Sequence, residues 1–319
     1  MRKREVPAAP AQIVRVRCKR VVLAKRPFCG SITTARPAPT HNEHSHRRCG
    51  DATALSLNWE AGAVDELNPI RRAWSDGRPA FGVWASIPSP LSVEFAARGG
   101  VDYVCIDLQH GLGSFDSLSA QITACWAAGA APIVRPHSNE TWQIGKALDL
   151  GALAVIVPLV SDAAAATAAV SACRYPPVGT RSHGPLRIAG IVGSDDPRTL
   201  EREALCFVMV ETREGLDQVE QIAATPGLDG IYIGPADLAI SLGLAPSAYA
   251  TSSEHAAAVE HIRAACEAAG IASGMHCHSG AEAHARVAQG FQVITVATDS
   301  PLLRDSVARE LATARGTAA

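Results

Sequence analysis

Beginning near residue 78, short apolar runs alternate with alanine-rich stretches whose apolar positions recur at helical spacing. That switching between a strand pattern and a helix pattern predicts β/α units built on a parallel sheet. Eight strands are expected, at 81–85, 102–107, 131–135, 153–157, 205–210, 229–233, 271–275 and 292–296. Amphipathic stretches such as 116–128, 139–150 and 162–173 lie between them and open on Asp or Asn, whose side chains accept hydrogen bonds from free helix amides. Eight strands with intervening helices fit a closed (β/α)8 TIM barrel better than an open doubly wound sheet. No Gly-x-Gly-x-x-Gly follows the first strand, and no Gly-Lys-Ser or Gly-Lys-Thr phosphate loop is present. Residues 174–204, with Arg174-Tyr175-Pro176-Pro177 and scattered glycines, are too irregular for a helix. They read as a long loop on the catalytic rim, where such loops shape substrate pockets.

Composition adds a boundary at the N-terminal side. The chain has 319 residues, 47% of them hydrophobic and 19% charged, enough for one barrel and an extension. A net charge of -2 hides a division: residues 1–50 carry twelve Lys and Arg against Glu5 and Glu43, leaving 17 bases and 29 acids in 51–319. The basic stretch also holds Pro7, Pro10, Pro27, Pro37 and Pro39 and keeps no hydrophobic period. Residues 1–65 are therefore expected to be a poorly ordered extension, and 66–319 the barrel domain. Three readings of the extension compete: an RNA- or phosphate-binding arm, an Arg-rich organelle transit peptide, or a stretch upstream of the working protein. With Phe28 as its lone aromatic residue, the basic stretch lacks platforms for stacking bases, so nucleic acid is not a favoured partner. No apolar run approaches the ~20 residues that cross a bilayer. The nine cysteines form no Cys-x-x-Cys pair, and several, as in Val104-Cys105-Ile106, fall inside expected strands. That usage suits small buried hydrophobes in a reducing cytoplasm.

Chemistry-bearing residues gather where the expected strands end. Phe207-Val208-Met209-Val210 runs into Glu211, and Ile231-Tyr232-Ile233 stops at Gly234-Pro235 and then delivers Asp237. In a parallel barrel, active sites form at the C-terminal ends of strands, so two consecutive strands would present one acid each at the catalytic rim. The second strand ends in Asp107-Leu108-Gln109-His110-Gly111, and the third in Arg135-Pro136-His137. An imidazole beside a carboxylate suits general acid or base work. A guanidinium suits a carboxylate or an enolate oxygen. Carboxylate ligands without an accompanying histidine pair or cysteine favour a hard cation, Mg2+ or Mn2+, and also admit Co2+. Two protein carboxylates leave coordination positions that a 2-oxo acid can fill with one carboxylate oxygen and its keto oxygen. His276-Cys277-His278 follows the seventh strand; without an identified third ligand it reads as pocket wall or core and not as a second metal site. Lys146 is the only lysine after Lys25, and a helix-interior position does not suit an imine-forming role.

Taken in order, these motifs resemble the HpcH/HpaI aldolases, metal-dependent class II enzymes acting on 2-oxo acids. The resemblance runs from about residue 82 to 303 and rests on Asp107-Leu108-Gln109-His110-Gly111, Val134-Arg135, Leu148-Asp149-Leu150-Gly151-Ala152, Arg174 through Arg181, Val210-Glu211-Thr212 and Gly227 through Leu238. It implies a phosphoenolpyruvate/pyruvate-type TIM barrel in which Glu211 and Asp237 hold a divalent metal and Arg135 holds pyruvate and its enolate. His110, paired with Asp107, would be the base, acting directly or through a metal-bound water. The backbone of Gly234, Pro235 and Ala236, with Gln109, would contact substrate. A trimer or hexamer is also implied, with residues 301–312 as the exchanged element. Three positions depart from the pattern: Gln109 for a Glu before the histidine, Ser182 for a Gly after the loop arginine, and Met209 for a Gln. They sit in or near the expected pocket and bear on the choice of aldehyde. The alternatives are a citramalyl- or malyl-CoA-type lyase on a related barrel, and a non-catalytic barrel that binds metabolites or RNA.

Overall fold

The computed structural model describes residues 67–317, and the expected extension at 1–65 lies outside them. All eight expected strands form, each within two residues of its expected bounds: β1 (Ala80–Ala85), β2 (Tyr103–Asp107), β3 (Ala131–Arg135), β4 (Ala154–Val157), β5 (Leu205–Val210), β6 (Gly230–Ile233), β7 (Ala272–His276) and β8 (Val293–Thr298). Each pairs in parallel with the next, and β8 returns to β1, closing a TIM barrel. Side chains alternate across the strands and separate two buried layers. Tyr103, Cys105, Ile133, Phe207 and Tyr232 fill the interior, whereas Val104, Ile106, Val134, Val208 and Ile231 pack outward with the helices. Close approach explains one interior glycine: a Cβ on Gly274 would lie 2.6 Å from the Tyr232 ring. The hydroxyls of Tyr103 and Tyr232 reach Thr295 Oγ1 at 3.0 and 2.6 Å, satisfying polar atoms that would otherwise be buried alone.

Short helix Pro69–Ser75 contributes Ile70 and Ala73 to the interior layer. Asn68 fixes it there: its amide donates to the carbonyls of Leu153 and Glu203 at 3.1 and 3.0 Å, and its oxygen accepts from Ile70 N. The expected helices also form, with small shifts at their starts. The first is capped by Ser114 in a capping box and not by Asp116, whereas Asp162 caps helix Ala163–Cys173 as expected.

The stretch 174–204 corrects two expectations. It contains two short helices, Ile188–Val192 and Pro197–Glu203, the second opened by an Asp196 cap and a proline at its start. It also connects a helix to the start of β5, which puts it on the N-terminal rim, away from the strand ends that carry the candidate chemistry. Arg174 accordingly bonds to the carbonyls of Ala204 and Gly227 and to Asp229, all just before β5 and β6, while Tyr175, Ile188 and Leu200 join the interior layer. The six described cysteines are buried free thiols. Among the described residues, no helix is long and apolar enough to cross a membrane.

Candidate active site

Asp107 and Arg135 are the last residues of β2 and β3 and stand in register across the sheet. The guanidinium grips the carboxylate along one edge, Nε to Oδ1 at 2.8 Å and Nη2 to Oδ2 at 2.7 Å. Both are buried, at 7% and 4% exposure. Burial opposes ionisation of Asp107, but the hydrogen bonds and charge of Arg135, helped by Trp84 and the His110 amide, hold its carboxyl below the usual carboxylate range. The expected Asp107–His110 side-chain pair is corrected by this geometry. Asp107 accepts from the backbone amides of Gln109 and His110 at 3.0 and 3.3 Å and so shapes the turn after β2, while its charge is spent on Arg135. The His110 side chain is exposed at the rim.

The acids follow β5 and β6. Glu211, 2% exposed, accepts from the Leu159 amide at 2.9 Å; Leu159 has φ of 55°, a left-handed backbone unusual for leucine. Gly234 leaves the space Glu211 needs, since a Cβ there would lie 2.5 Å from Glu211 Oε2. Pro235 then starts helix Pro235–Ser241, whose first turn carries Asp237, exposed to solvent. Burial pushes the Glu211 carboxyl up to about 7; the Asp237 carboxylate adds to the rise, against the Leu159 amide and the charge of Arg135.

These residues meet around a cavity of about 170 Å3, lined by His110, Arg135, Glu211, Asp237 and the Gly234-Pro235-Ala236 backbone, together with Trp84, Met209, His276 and His278. A larger cavity of about 580 Å3, lined by Asp229, Arg263 and Gln292, lies at the starts of β6 to β8, the rim opposite the acids. Three expected participants are not on the cavity wall. Asp107 stands behind Arg135. Gln109 turns its amide oxygen into a buried position with no hydrogen-bond partner among the described residues. Ser182 lines a separate cavity with Trp142 and Lys146, the latter exposed on helix Thr141–Asp149. Met209 does reach the site, its sulfur 3.9 Å from Arg135 Nη1. Trp84 was not singled out from the sequence, although an aromatic residue near the end of the first strand was the available signal. Its ring lies under the guanidinium, 4.9 Å from Arg135 Cζ. His276 proves to be the last residue of β7 and not loop, and the imidazole pair forms pocket wall as expected.

The donor set fits a hard divalent cation. Two carboxylates converge, one buried and reluctant to ionise beside the other, and a cation relieves that repulsion. Among the described residues, no group of three or more His, Cys, Asp or Glu side chains could hold a metal ion. The protein would thus supply two ligands and leave the rest of the coordination sphere to water and substrate. Among the described residues, His276 and His278 likewise have no third ligand for a site of their own.

Known proteins share this arrangement of strands. The family model described as HpcH/HpaI aldolase/citrate lyase matches residues 80–306. A hydroxypyruvate/pyruvate aldolase of Rhizorhabdus wittichii is 37% identical over 249 residues, covering 78% of this chain and 99% of the relative. A 4-hydroxy-2-oxo-heptane-1,7-dioate aldolase of Salmonella heidelberg is 33% identical over 239 residues, covering 74% and 90%. The crystal structure of a family protein from Burkholderia cenocepacia superposes with a TM-score of 0.73 at 32% identity, covering 78% of this chain and 99% of that one.

Proposed function

Because this chain belongs to the HpcH/HpaI aldolase/citrate lyase family, we propose that it is a class II aldolase that cleaves or forms 4-hydroxy-2-oxo acids, with pyruvate and an aldehyde as the other side of the equilibrium. The observation that carries this reading is the meeting of Arg135, Glu211, Asp237 and His110 at the C-terminal strand ends around one small cavity. Glu211 and Asp237 would hold a divalent cation, Mg2+, Mn2+ or Co2+, which when bound supplies a Lewis acid for the negative charge that develops on the substrate's keto oxygen.

In the cleavage direction, His110 takes the proton of the C4 hydroxyl as the C3–C4 bond breaks. C4 leaves as the aldehyde, and the bonding pair passes into the enolate of pyruvate. Arg135 faces that oxygen with Nη1, the nitrogen not committed to Asp107, and its positive charge favours the enolate over the ketone. Asp107 acts one step back: it fixes the guanidinium in place and keeps it from turning out of the cavity. Trp84 covers the other face of the guanidinium and excludes water from it. The Gly234-Pro235-Ala236 backbone lies along the cavity where the substrate carboxylate would rest. Protonation at C3 releases pyruvate.

Extensive coverage of relatives named as aldolases favours this reading over a CoA-ester lyase. Protein stripped of metal should lose the release of pyruvate from a 4-hydroxy-2-oxo acid and regain it when Mg2+, Mn2+ or Co2+ is returned. Full turnover in excess chelator would sink the proposal, and Asp237→Asn should lower metal affinity and turnover together.

A further inference from the structure

Beyond the strand that delivers Asp237, the cavity wall changes character. His276 ends β7, and its Nε2 lies 3.2 Å from Thr298 Oγ1. The ring packs edge-on against Trp84, at 5.1 Å between centroids, and against His278 at 5.0 Å; Tyr249 packs on His278 at 5.3 Å. These neighbours flank both imidazoles. Among the described residues, the Thr298 contact is the only hydrogen bond to the His276 ring, and the His278 ring has none. Burial, reinforced by His278 and Arg135, pushes His276 down to about 3. It is therefore a neutral imidazole near pH 7, with one N–H donor and one lone-pair acceptor. Met209, Pro235 and Ala236, also on the wall, offer no side-chain N–H or O–H.

The proposed reaction uses Arg135, Glu211, Asp237 and His110 and leaves these two imidazoles unassigned. We propose that His276 and His278 choose the aldehyde, hydrogen-bonding to the hydroxyl oxygen of a short hydroxylated aldehyde that reacts with pyruvate. This inference rests on the aldolase reading above and deepens it. Size supports a short acceptor, since about 170 Å3 falls below the ~300 Å3 at the lower end of pockets for drug-sized ligands. His278 also borders a second cavity of about 340 Å3 beside Thr298, Arg304 and Ser306, so a longer polar aldehyde would extend past that ring. An apolar aldehyde offers no partner to the imidazole nitrogens that Thr298 does not already engage once water is displaced, which lowers its kcat/KM.

The test is a comparison of two aldehydes of equal size, glycolaldehyde and propanal, each condensed with pyruvate by the metal-loaded protein. Wild type should favour glycolaldehyde in kcat/KM by about tenfold to a hundredfold. His276→Leu should collapse that ratio, and His276→Gln, which keeps a donor and an acceptor, should retain most of it. Aldehyde hydration cancels when the ratio is compared between variants. Should His276→Leu fail to fold, His278→Ala at the exposed rim provides the same comparison. A wild-type ratio near one, or a ratio unchanged in both His276→Leu and His278→Ala, would overturn the inference. Exchange of the pyruvate C3 hydrogens into deuterated water, followed in wild type without aldehyde, reads the enolate step alone. Its absence would count against the aldolase reading itself, whereas exchange with no aldehyde discrimination would count only against the two histidines.

Discussion

Arg135 performs two tasks with one guanidinium, and the geometry separates them. Nε and Nη2 hold Asp107, and Nη1 remains for the cavity. Removing the side chain leaves Asp107 buried without a counter-charge, so Arg135→Ala should destabilise the fold by about 3–5 kcal/mol in urea denaturation and abolish pyruvate binding. Arg135→Lys keeps the charge but loses the fork, and should bind pyruvate weakly even where it folds. The pH dependence has a definite sign. Asp107 has a folded pKa below its ordinary 3.8, so its contribution is full above that value and is lost as pH falls through the lowered folded one. The stability gap between wild type and Asp107→Asn should be widest near neutrality and narrow in strong acid. Arg135, Glu211, Asp237 and His110 were legible in the sequence because each follows an apolar run that had to be a strand. The partner of Asp107 was not, because His110 is its neighbour along the chain and Arg135 its neighbour only across the sheet.

The turn from β6 into helix Pro235–Ser241 shows how a local sequence builds part of a site. Pro235 starts the helix, Asp237 falls in its first turn, and Gly234 gives Glu211 room. In Gly234→Ala the new methyl would meet Glu211 Oε2 at 2.5 Å, so either the carboxylate or the strand end must move. Calorimetric titration with Mn2+ should show affinity reduced by at least tenfold in this variant, with little change in the thermal transition; an unaltered affinity would show that Glu211 does not depend on the space at Gly234. Gly-Pro-Ala-Asp could be read in advance because proline and glycine carry their backbone preferences wherever they occur. The segment 174–204 misled for a different reason. Its irregular composition identified a long connection, yet composition does not say which end of a barrel a connection crosses. Counting elements does: a connection from helix to strand belongs to the N-terminal rim, so Ser182 and Arg181 stand apart from the chemistry.

Closure of the barrel makes residues far apart in sequence into neighbours, with β1 beside β8 and helix Pro69–Ser75 anchored to both Leu153 and Glu203 through Asn68. Asn68 is fully buried, and Asn68→Ala would leave two carbonyls and one helix amide without their side-chain partner. A loss of about 1–3 kcal/mol is expected from equilibrium unfolding. The rim that carries the proposed site is remote from that anchor, so pyruvate affinity at low temperature should be nearly that of wild type. A large drop in affinity without a drop in stability would contradict this division between strand starts that hold the barrel together and strand ends that carry the proposed chemistry.

Strand positions, the closed parallel barrel and the four strand-end groups follow from the chain read locally, because continuous apolar runs, helical periodicity, proline and glycine act within a few residues of themselves. The pairing of Asp107 with Arg135, the Trp84 ring beneath the guanidinium, the His276–His278 wall and the exclusion of Gln109 and Ser182 from the cavity depend on register and on which strands become neighbours. Those relations are settled when eight strands close on one another. A carboxylate with two possible partners takes the one that arrives buried, charged and in register, and the position of that partner is a property of the closed sheet.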